Sequence, residues 1–434
     1  MSTFLQGIAN KAQAKPQHRF GNLYELLNEV FLHECWRDIR KDAAYGVDRV
    51  SAEDYEQHLD ENIHDLVERL KQKRYRAKLV RRQYIPKGEG KLRPLGIPAV
   101  EDKLLQLAVT RILQAIYEQD FMRCSYGYRP NVGALDAVDK LTLKLQCGQY
   151  NFVVEADIKA FFDNLNHDWL MQMLEQRIED GAFLRLIRKW LKAGVLDTDG
   201  QVLHPETGSP QGGIVSPILA NVYLHHALDV WFHQIVKPRC HGEACLIRFA
   251  DDFVAAFQHQ QDAEWFYQAL GQRLRQFGLE LSAEKTRVIP FGRHPPLGKT
   301  SFDFLGFEFR WGKDRAGTPR VQRRTARKKL RNSLRQFTEW CKDKCRSKLA
   351  EVFEELNAKL RGHYNYFGVN GNYASLKQFY DAALRILFKW LNRRSQRKSY
   401  NWTGFRELLR DFQVEPPRIV GRPKPRVALR GACA

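Results

Sequence analysis

The run Cys245-Leu246-Ile247-Arg248-Phe249-Ala250-Asp251-Asp252-Phe253-Val254-Ala255-Ala256-Phe257 constrains this chain more than any other segment. Mostly apolar residues flank two adjacent aspartates, which predicts a β-hairpin with both carboxylates at its tip. Asp-Asp is an unusual two-residue turn, because such turns favour Gly or Asn. Two neighbouring anions at a tight corner repel each other, and a bound divalent cation is the obvious compensation.

A second acidic corner supplies a partner. Asn151-Phe152-Val153-Val154-Glu155-Ala156-Asp157 reads as a short strand ending in Asp157, followed by Ile158-Lys159-Ala160-Phe161-Phe162-Asp163. If the two runs are neighbours in one sheet, three carboxylates converge where two metal ions could sit about 3.5–4 Å apart. That arrangement serves in-line phosphoryl transfer.

Other segments narrow the chemistry. Ser209-Pro210-Gln211-Gly212-Gly213-Ile214-Val215-Ser216-Pro217 opens a predicted helix through Leu219, Val222, Tyr223 and Leu224. The glycines after Gln211 let the backbone approach a flat ligand, and the helix N-terminus favours phosphates or a base pair. Upstream, residues 85–98 predict two strands joined by a Gly-rich turn carrying Lys87, Lys91 and Arg93. Those three cations could neutralise a triphosphate, Arg93 in bidentate fashion, although a charged hairpin alone is ordinarily a solvated edge.

With these blocks in hand, the chain resembles the bacterial group II intron reverse transcriptase and maturase family over nearly its whole length. The marks are Asp157 with Phe161-Phe162-Asp163, Ser209-Pro210-Gln211-Gly212-Gly213, Phe249-Ala250-Asp251-Asp252 and Ser282-Ala283-Glu284-Lys285-Thr286. Phe304-Leu305-Gly306-Phe307 and the early Gly46-Val47-Asp48 stand in the family's order as well. The resemblance implies an α+β right-hand polymerase: fingers and palm with antiparallel sheet, then an α-helical thumb or maturase domain. It implies Asp157, Asp251 and Asp252 as catalytic metal ligands for two Mg²⁺ ions, Mn²⁺ being a possible substitute. The Ile158 carbonyl would join that shell.

By the same resemblance Phe162 lies beneath the incoming sugar and excludes a 2′-hydroxyl, a core aromatic being the alternative. Phe161 points the other way if this segment is a strand. Gln211 and Gly212 would contact the nucleotide near its base, and Lys285 would protonate the leaving pyrophosphate. Two departures stand out. Most members carry Tyr at the position of Phe249, so activity with altered nucleotide handling is expected. Many also carry a nuclease domain marked by paired Cys motifs, a pattern not seen after Asn401, so target-strand cleavage by this chain is not expected.

Length suits two or three domains at 434 residues. The expected division is an N-terminal extension over 1–40, fingers and palm over 41–310, a helical thumb over 311–400, and a basic tail over 401–434 that could bind DNA. Charge is unevenly spread: residues 311–434 hold 30 of the 70 Lys and Arg but 10 of the 50 Asp and Glu. The first 310 residues therefore balance at 40 of each sign, and the net +20 lies entirely in the C-terminal part. Such asymmetry points to a nucleic-acid-gripping appendage.

That appendage predicts helices from Arg323 through Phe337, Leu349 through Phe367 and Leu376 through Leu391. Tyr364 and Phe367 read as core, with base stacking as the alternative. Arg393-Arg394-Ser395-Gln396-Arg397-Lys398 adds a basic run, and residues 416–434 read as a flexible basic strap. In the N-terminal segment Leu23, Leu27, Val30, Phe31 and Cys35 predict an amphipathic helix packed on the fingers. His167, His225 and His226 read as helix-surface or capping positions, with no nucleophile partner. Eight scattered cysteines lack a paired zinc spacing and read as reduced thiols. No apolar run reaches membrane-spanning length, and no signal-peptide core is present.

The implied function is RNA-directed DNA synthesis from deoxynucleoside triphosphates on an RNA template with a DNA primer. A companion role in splicing structured intron RNA and inserting into target DNA follows from the family, with a cytoplasmic, nucleoid- or ribonucleoprotein-associated location. Three alternatives stay open. One is a domesticated relative used in DNA repair or phage defence, and another a splicing cofactor without polymerase activity. The third, an RNA-dependent RNA polymerase, is disfavoured by Phe162.

Overall fold

A computed structural model describes residues 3–88, 91–203, 206–208, 212–293, 300–314, 316–394 and 399–420, with backbone alone at 87, 88 and 91. Two compact units emerge. The first comprises 1–137 and 154–288, the second 138–153 and 289–434. Among the described residues no helix is long and apolar enough to cross a membrane.

The first unit contains most of two sheets. One has the order β2-β1-β4-β5, formed by β1 (Val80–Gly88), β2 (Lys91–Ile97), β4 (Val195–Leu196) and β5 (Val202–Leu203). β1 and β2 form the predicted charged hairpin, pairing antiparallel from Arg81 with Ile97 to Gly88 with Lys91. The other has the order β6-β7-β3-β8, formed by β3 (Phe152–Asp157), β6 (Ala244–Phe249), β7 (Asp252–Phe257) and β8 (Arg287–Pro290). Val153, Val154, Phe253, Val254 and Phe257 are all essentially inaccessible, which explains their near-continuous apolar run. A helix Val100–Tyr117 is buried along most of its length, and the N-terminal helices Thr3–Ala14 and Glu29–Trp36 pack on it.

The single N-terminal amphipathic helix is corrected. Leu23 and Leu27 flank a 3-10 turn at Tyr24–Leu26, and Asn28 caps a new helix by accepting from Phe31 N. That cap resets the helical phase, so Leu23, Leu27, Phe31 and Cys35 are buried while Val30 is 80% exposed.

Within the second unit a sheet β11-β10-β9 runs through β9 (Ser301–Phe304), β10 (Phe307–Lys313) and β11 (Pro319–Thr325). Helices Arg327–Lys344, Leu349–Phe367 and Tyr373–Leu391 follow. Tyr364 and Phe367 are core residues, as expected. The first part of the expected basic tail carries its own structure. Trp402–Asp411 is a helix capped by Asn401, and Phe412 stacks on Phe353 with ring centroids 4.5 Å apart. Beyond it the backbone is tied to the helix Leu349–Phe367. Asn357 Oδ1 accepts from Glu415 N, Tyr364 Oη donates to Glu415 O, and Val420 N donates to Gly368 O. Side-chain amides that satisfy an irregular backbone leave no periodic signature, which is why this docking was not legible. Residues 395–398 of the basic run and 421–434 of the strap lie outside the described residues.

Candidate active site

β6 and β7 pair with Phe249 opposite Asp252, which corrects the expected hairpin tip. The two loop residues are Ala250 and Asp251, and Asp252 already belongs to β7. Ala250 takes the left-handed conformation, φ +56°, that a two-residue turn demands of its first residue. The acidic pair thus straddles the corner, one carboxylate on the turn and one on the strand.

β3 lies beside β7, and Asp157 is its last residue. After it the chain runs alongside 280–282: Ser282 N donates to Asp157 O at 2.8 Å, and Lys159 N donates to Glu280 O at 2.9 Å. Ile158 and Leu281 face each other between these bonds. By strand alternation the Ile158 carbonyl is directed away from that ladder. The same segment delivers Lys285, whose ammonium donates to Asp157 Oδ2 at 2.6 Å. This hydrogen bond, with the further charges of Asp252 and Asp251, raises the Lys285 pKa above that of an ordinary lysine. One cation therefore senses all three carboxylates.

Among the described residues no three His, Cys, Asp or Glu side chains are gathered closely enough to hold a metal ion as they stand. Lys285 takes up Asp157 instead. The donor set nonetheless fits a hard divalent cation: all three groups are carboxylates, and the cation bonded to Asp157 interacts electrostatically with Asp251 and Asp252 as well.

Phe161–Asp163 is a 3-10 turn and not a strand, entered through left-handed Ala160. The turn still separates the two rings: Phe161 is buried, while Phe162 is only half-buried and meets it edge-on at 5.3 Å. The glycine loop is strung close by. Gly208 N donates to Leu165 O at 2.7 Å, and a β-carbon at Gly208 would sit 3.0 Å from the Phe162 carbonyl oxygen. Further on, Gly212 adopts φ +121°, and a β-carbon there would lie 2.4 Å from the Gly96 carbonyl oxygen of β2. Gln106, from the buried helix, accepts from Ile214 N at 2.9 Å and braces the exit of the loop. The loop leads into the helix Ser216–Leu224, as expected. Gln211 itself lies outside the described residues, as do the side chains of Lys87 and Lys91; Arg93 is exposed on β2.

The histidines are corrected. His167 is buried and its Nε2 lies 2.7 Å from Gly208 O, so it braces the loop from below. His225 is buried and His226 half-buried in a π-helical turn, His225–Asp229. Burial lowers the pKa of both, that of His226 to about 4, so neither is charged at neutral pH.

Two participants escaped the sequence reading. Tyr128, 47% exposed, packs its ring 6.4 Å from that of Phe249. Burial and the nearby Asp251 raise its phenol pKa, while Arg93 lowers it, so Tyr128 stands within electrostatic reach of both. Arg248, inside β6, is wholly buried and bonded to Asp229. A charged residue inside an apolar strand was the available signal for the second; the first had none.

A palm sheet ending in three carboxylates, beside a glycine loop and a basic hairpin, defines a template-directed nucleic-acid polymerase. Residues 85–309 match the family "Reverse transcriptase (RNA-dependent DNA polymerase)" and residues 327–408 match "Group II intron, maturase-specific domain". The chain belongs to the group II intron reverse transcriptase and maturase family. It is similar to the group II intron-encoded protein LtrA of Lactococcus lactis subsp. cremoris, 29% identical over 86% of this chain and 75% of that protein. Protein YkfC of Escherichia coli (strain K12) is 31% identical over 78% of this chain and 96% of its own length. A solved telomerase from Candida albicans overlaps with a TM-score of 0.45 at 16% identity, covering 79% of this chain and 64% of that one.

Proposed function

We propose that this RNA-directed DNA polymerase works through a two-metal site at the open end of the β6-β7-β3 sheet. The observation that carries the reading is the Lys285 ammonium, bonded to Asp157 and felt by Asp251 and Asp252. Asp157, Asp251, Asp252 and the Ile158 carbonyl would hold Mg²⁺ (or Mn²⁺), which would supply Lewis acidity for a primer 3′-hydroxyl and neutralise phosphate charge.

The chain's own residues do the rest. Lys87, Lys91 and Arg93 on the hairpin grip the triphosphate of a deoxynucleotide. Gly212 lets backbone come close beneath it, and Gln211 contacts it near the base. The Phe162 ring closes the space a 2′-hydroxyl needs. Lys285, exchanging Asp157 for the product, keeps a proton at Nζ for the leaving pyrophosphate. The basic second unit binds structured intron RNA, which gives the maturase role. Retromobility into target DNA and residence in a cytoplasmic or nucleoid-associated RNA–protein particle complete the proposal.

The test is extension of a DNA primer on an RNA template with deoxynucleotides or ribonucleotides. Wild type should use deoxynucleotides, and Phe162→Ala should gain ribonucleotide incorporation by about 10- to 100-fold, the discrimination expected of a site judged by shape. Equal use of both nucleotides by wild type would remove Phe162 from this role, and absence of any extension would remove the proposal.

The RNA-binding part carries its own expectation. Truncation after Val420 removes Arg422, Lys424, Arg426 and Arg430. The slope of log affinity for RNA against log salt should flatten by up to about 3, since each phosphate contact to a single strand contributes about 0.7. An unchanged slope means that this segment does not touch RNA.

A further inference from the structure

Arg248 lies in β6 among apolar neighbours and none of its side chain reaches solvent. Its guanidinium is fully engaged. Nε and Nη2 donate to the two oxygens of Asp229 at 2.8 and 2.6 Å. Nη1 donates to Asn221 Oδ1 at 3.0 Å and to the Ala250 carbonyl at 3.1 Å, and Nη2 also reaches Ser125 Oγ at 2.8 Å. Asp229 and Asn221 are as inaccessible as Arg248, and Ser125 nearly so.

A buried ion pair is a poor device for stability alone, because desolvation offsets most of the attraction. A planar fork is, however, well suited to fixing several partners in one geometry. The helix has been rebuilt to supply those partners. Asn221 and Asp229 are eight residues apart, which at about 100° per residue leaves them roughly 80° out of phase in an α-helix. The π-helical turn His225–Asp229 takes up an extra residue and brings Asp229 round to the side of Asn221.

The opposite side of the turn is closed by the same network. Asn221 Nδ2 donates to Gly127 O at 2.6 Å. A β-carbon on Gly127 would lie 2.3 Å from Ala250 N, so the 125–127 backbone presses directly on the turn. Ala250 thus holds a conformation that non-glycine residues avoid, with its carbonyl gripped by Arg248 and its amide walled by Gly127.

We propose that Arg248 is a positioning residue: anchored by Asp229 and Asn221, it holds the Ala250 carbonyl and so aims Asp251 and Asp252. The inference rests on the reading of those aspartates as metal ligands. It predicts that Arg248→Lys, which keeps the charge but cannot span the partners, loosens the corner without dissolving the sheet. In metal-free protein, hydrogen exchange in peptides covering 246–254 should accelerate while peptides of the helix Val100–Tyr117 stay as in wild type. Primer extension should lose about 10- to 100-fold in kcat, and half-saturating Mg²⁺ should rise comparably, as is usual when a group behind a metal ligand is removed. KM for the deoxynucleotide should not move. Adding Ala250→Gly to Arg248→Lys should restore part of kcat, because glycine takes a positive φ freely.

Wild-type exchange at the corner with wild-type kcat and Mg²⁺ dependence would overturn the proposal. So would a loss of kcat that Ala250→Gly leaves untouched, since that marks lost packing. If Arg248→Lys does not fold, Asn221→Ser carries the same expectations, as it spares the ion pair and removes the link to Gly127. Wild type that extends no primer sinks the polymerase reading alone, and the exchange comparison still judges the clamp.

Discussion

Asp251→Ala should reduce extension of a DNA primer on an RNA template by about a thousandfold or more while leaving the protein folded. A metal ion contributes several kcal/mol of transition-state stabilisation, and each 1.36 kcal/mol is tenfold in rate. Asp251 is one of the two loop residues at the corner, half-buried, so its removal opens no core cavity. Far-ultraviolet circular dichroism and the thermal midpoint should therefore match wild type. Single-turnover rates at saturating nucleotide make the measurement, because they separate chemistry from binding. Comparable rates in the two proteins would strip Asp251 of its catalytic assignment.

Gly212→Ala should be almost as damaging by a different route. The added methyl would stand 2.4 Å from the Gly96 carbonyl oxygen, and φ +121° is a conformation alanine resists. Neither obstacle yields by rotating a side chain, since the clash is with backbone. The backbone at Gly212 must move off β2. A displacement of about 1 Å can cost on the order of 100-fold in rate. The loss should fall on kcat/KM for the nucleotide, while affinity for primer–template stays as in wild type. Normal nucleotide kinetics would show that the contact between Gly96 and Gly212 is not needed for catalysis.

The parts of the site that chemistry demands were legible in the sequence. Carboxylates at the ends of apolar runs, glycines ahead of a helix and cations flanking a Gly-rich turn each leave a local pattern, so β3, β6, β7 and the β1–β2 hairpin were foreseen in place. The geometry around them was less so. The apolar flanks put both aspartates at the tip, against ordinary turn preferences, whereas Ala250 takes the strained position because Arg248 and Gly127 hold it there. Asp229 could not be paired with Arg248 from spacing, since a regular helix would aim it elsewhere. His167 looked like a helix surface residue until the loop it supports, at Gly208, was folded over it. In each case a side-chain hydrogen bond or a close backbone approach outside the regular ladders decided the outcome, and such contacts have no period to read.

Residues 138–153, which run up to and include the first two residues of β3, group with the later unit and not with the chain on either side. The backbone thus leaves the catalytic body, contributes most of the helix Ala134–Cys147 to the other, and returns for its first acidic corner. Gln146 holds Val321 N through its side-chain oxygen at 2.9 Å, and Arg323 pairs with Asp139. A gene cut once near codon 288 would therefore orphan that excursion from its companions, whereas a split that respects the fold must sever the polypeptide in three places.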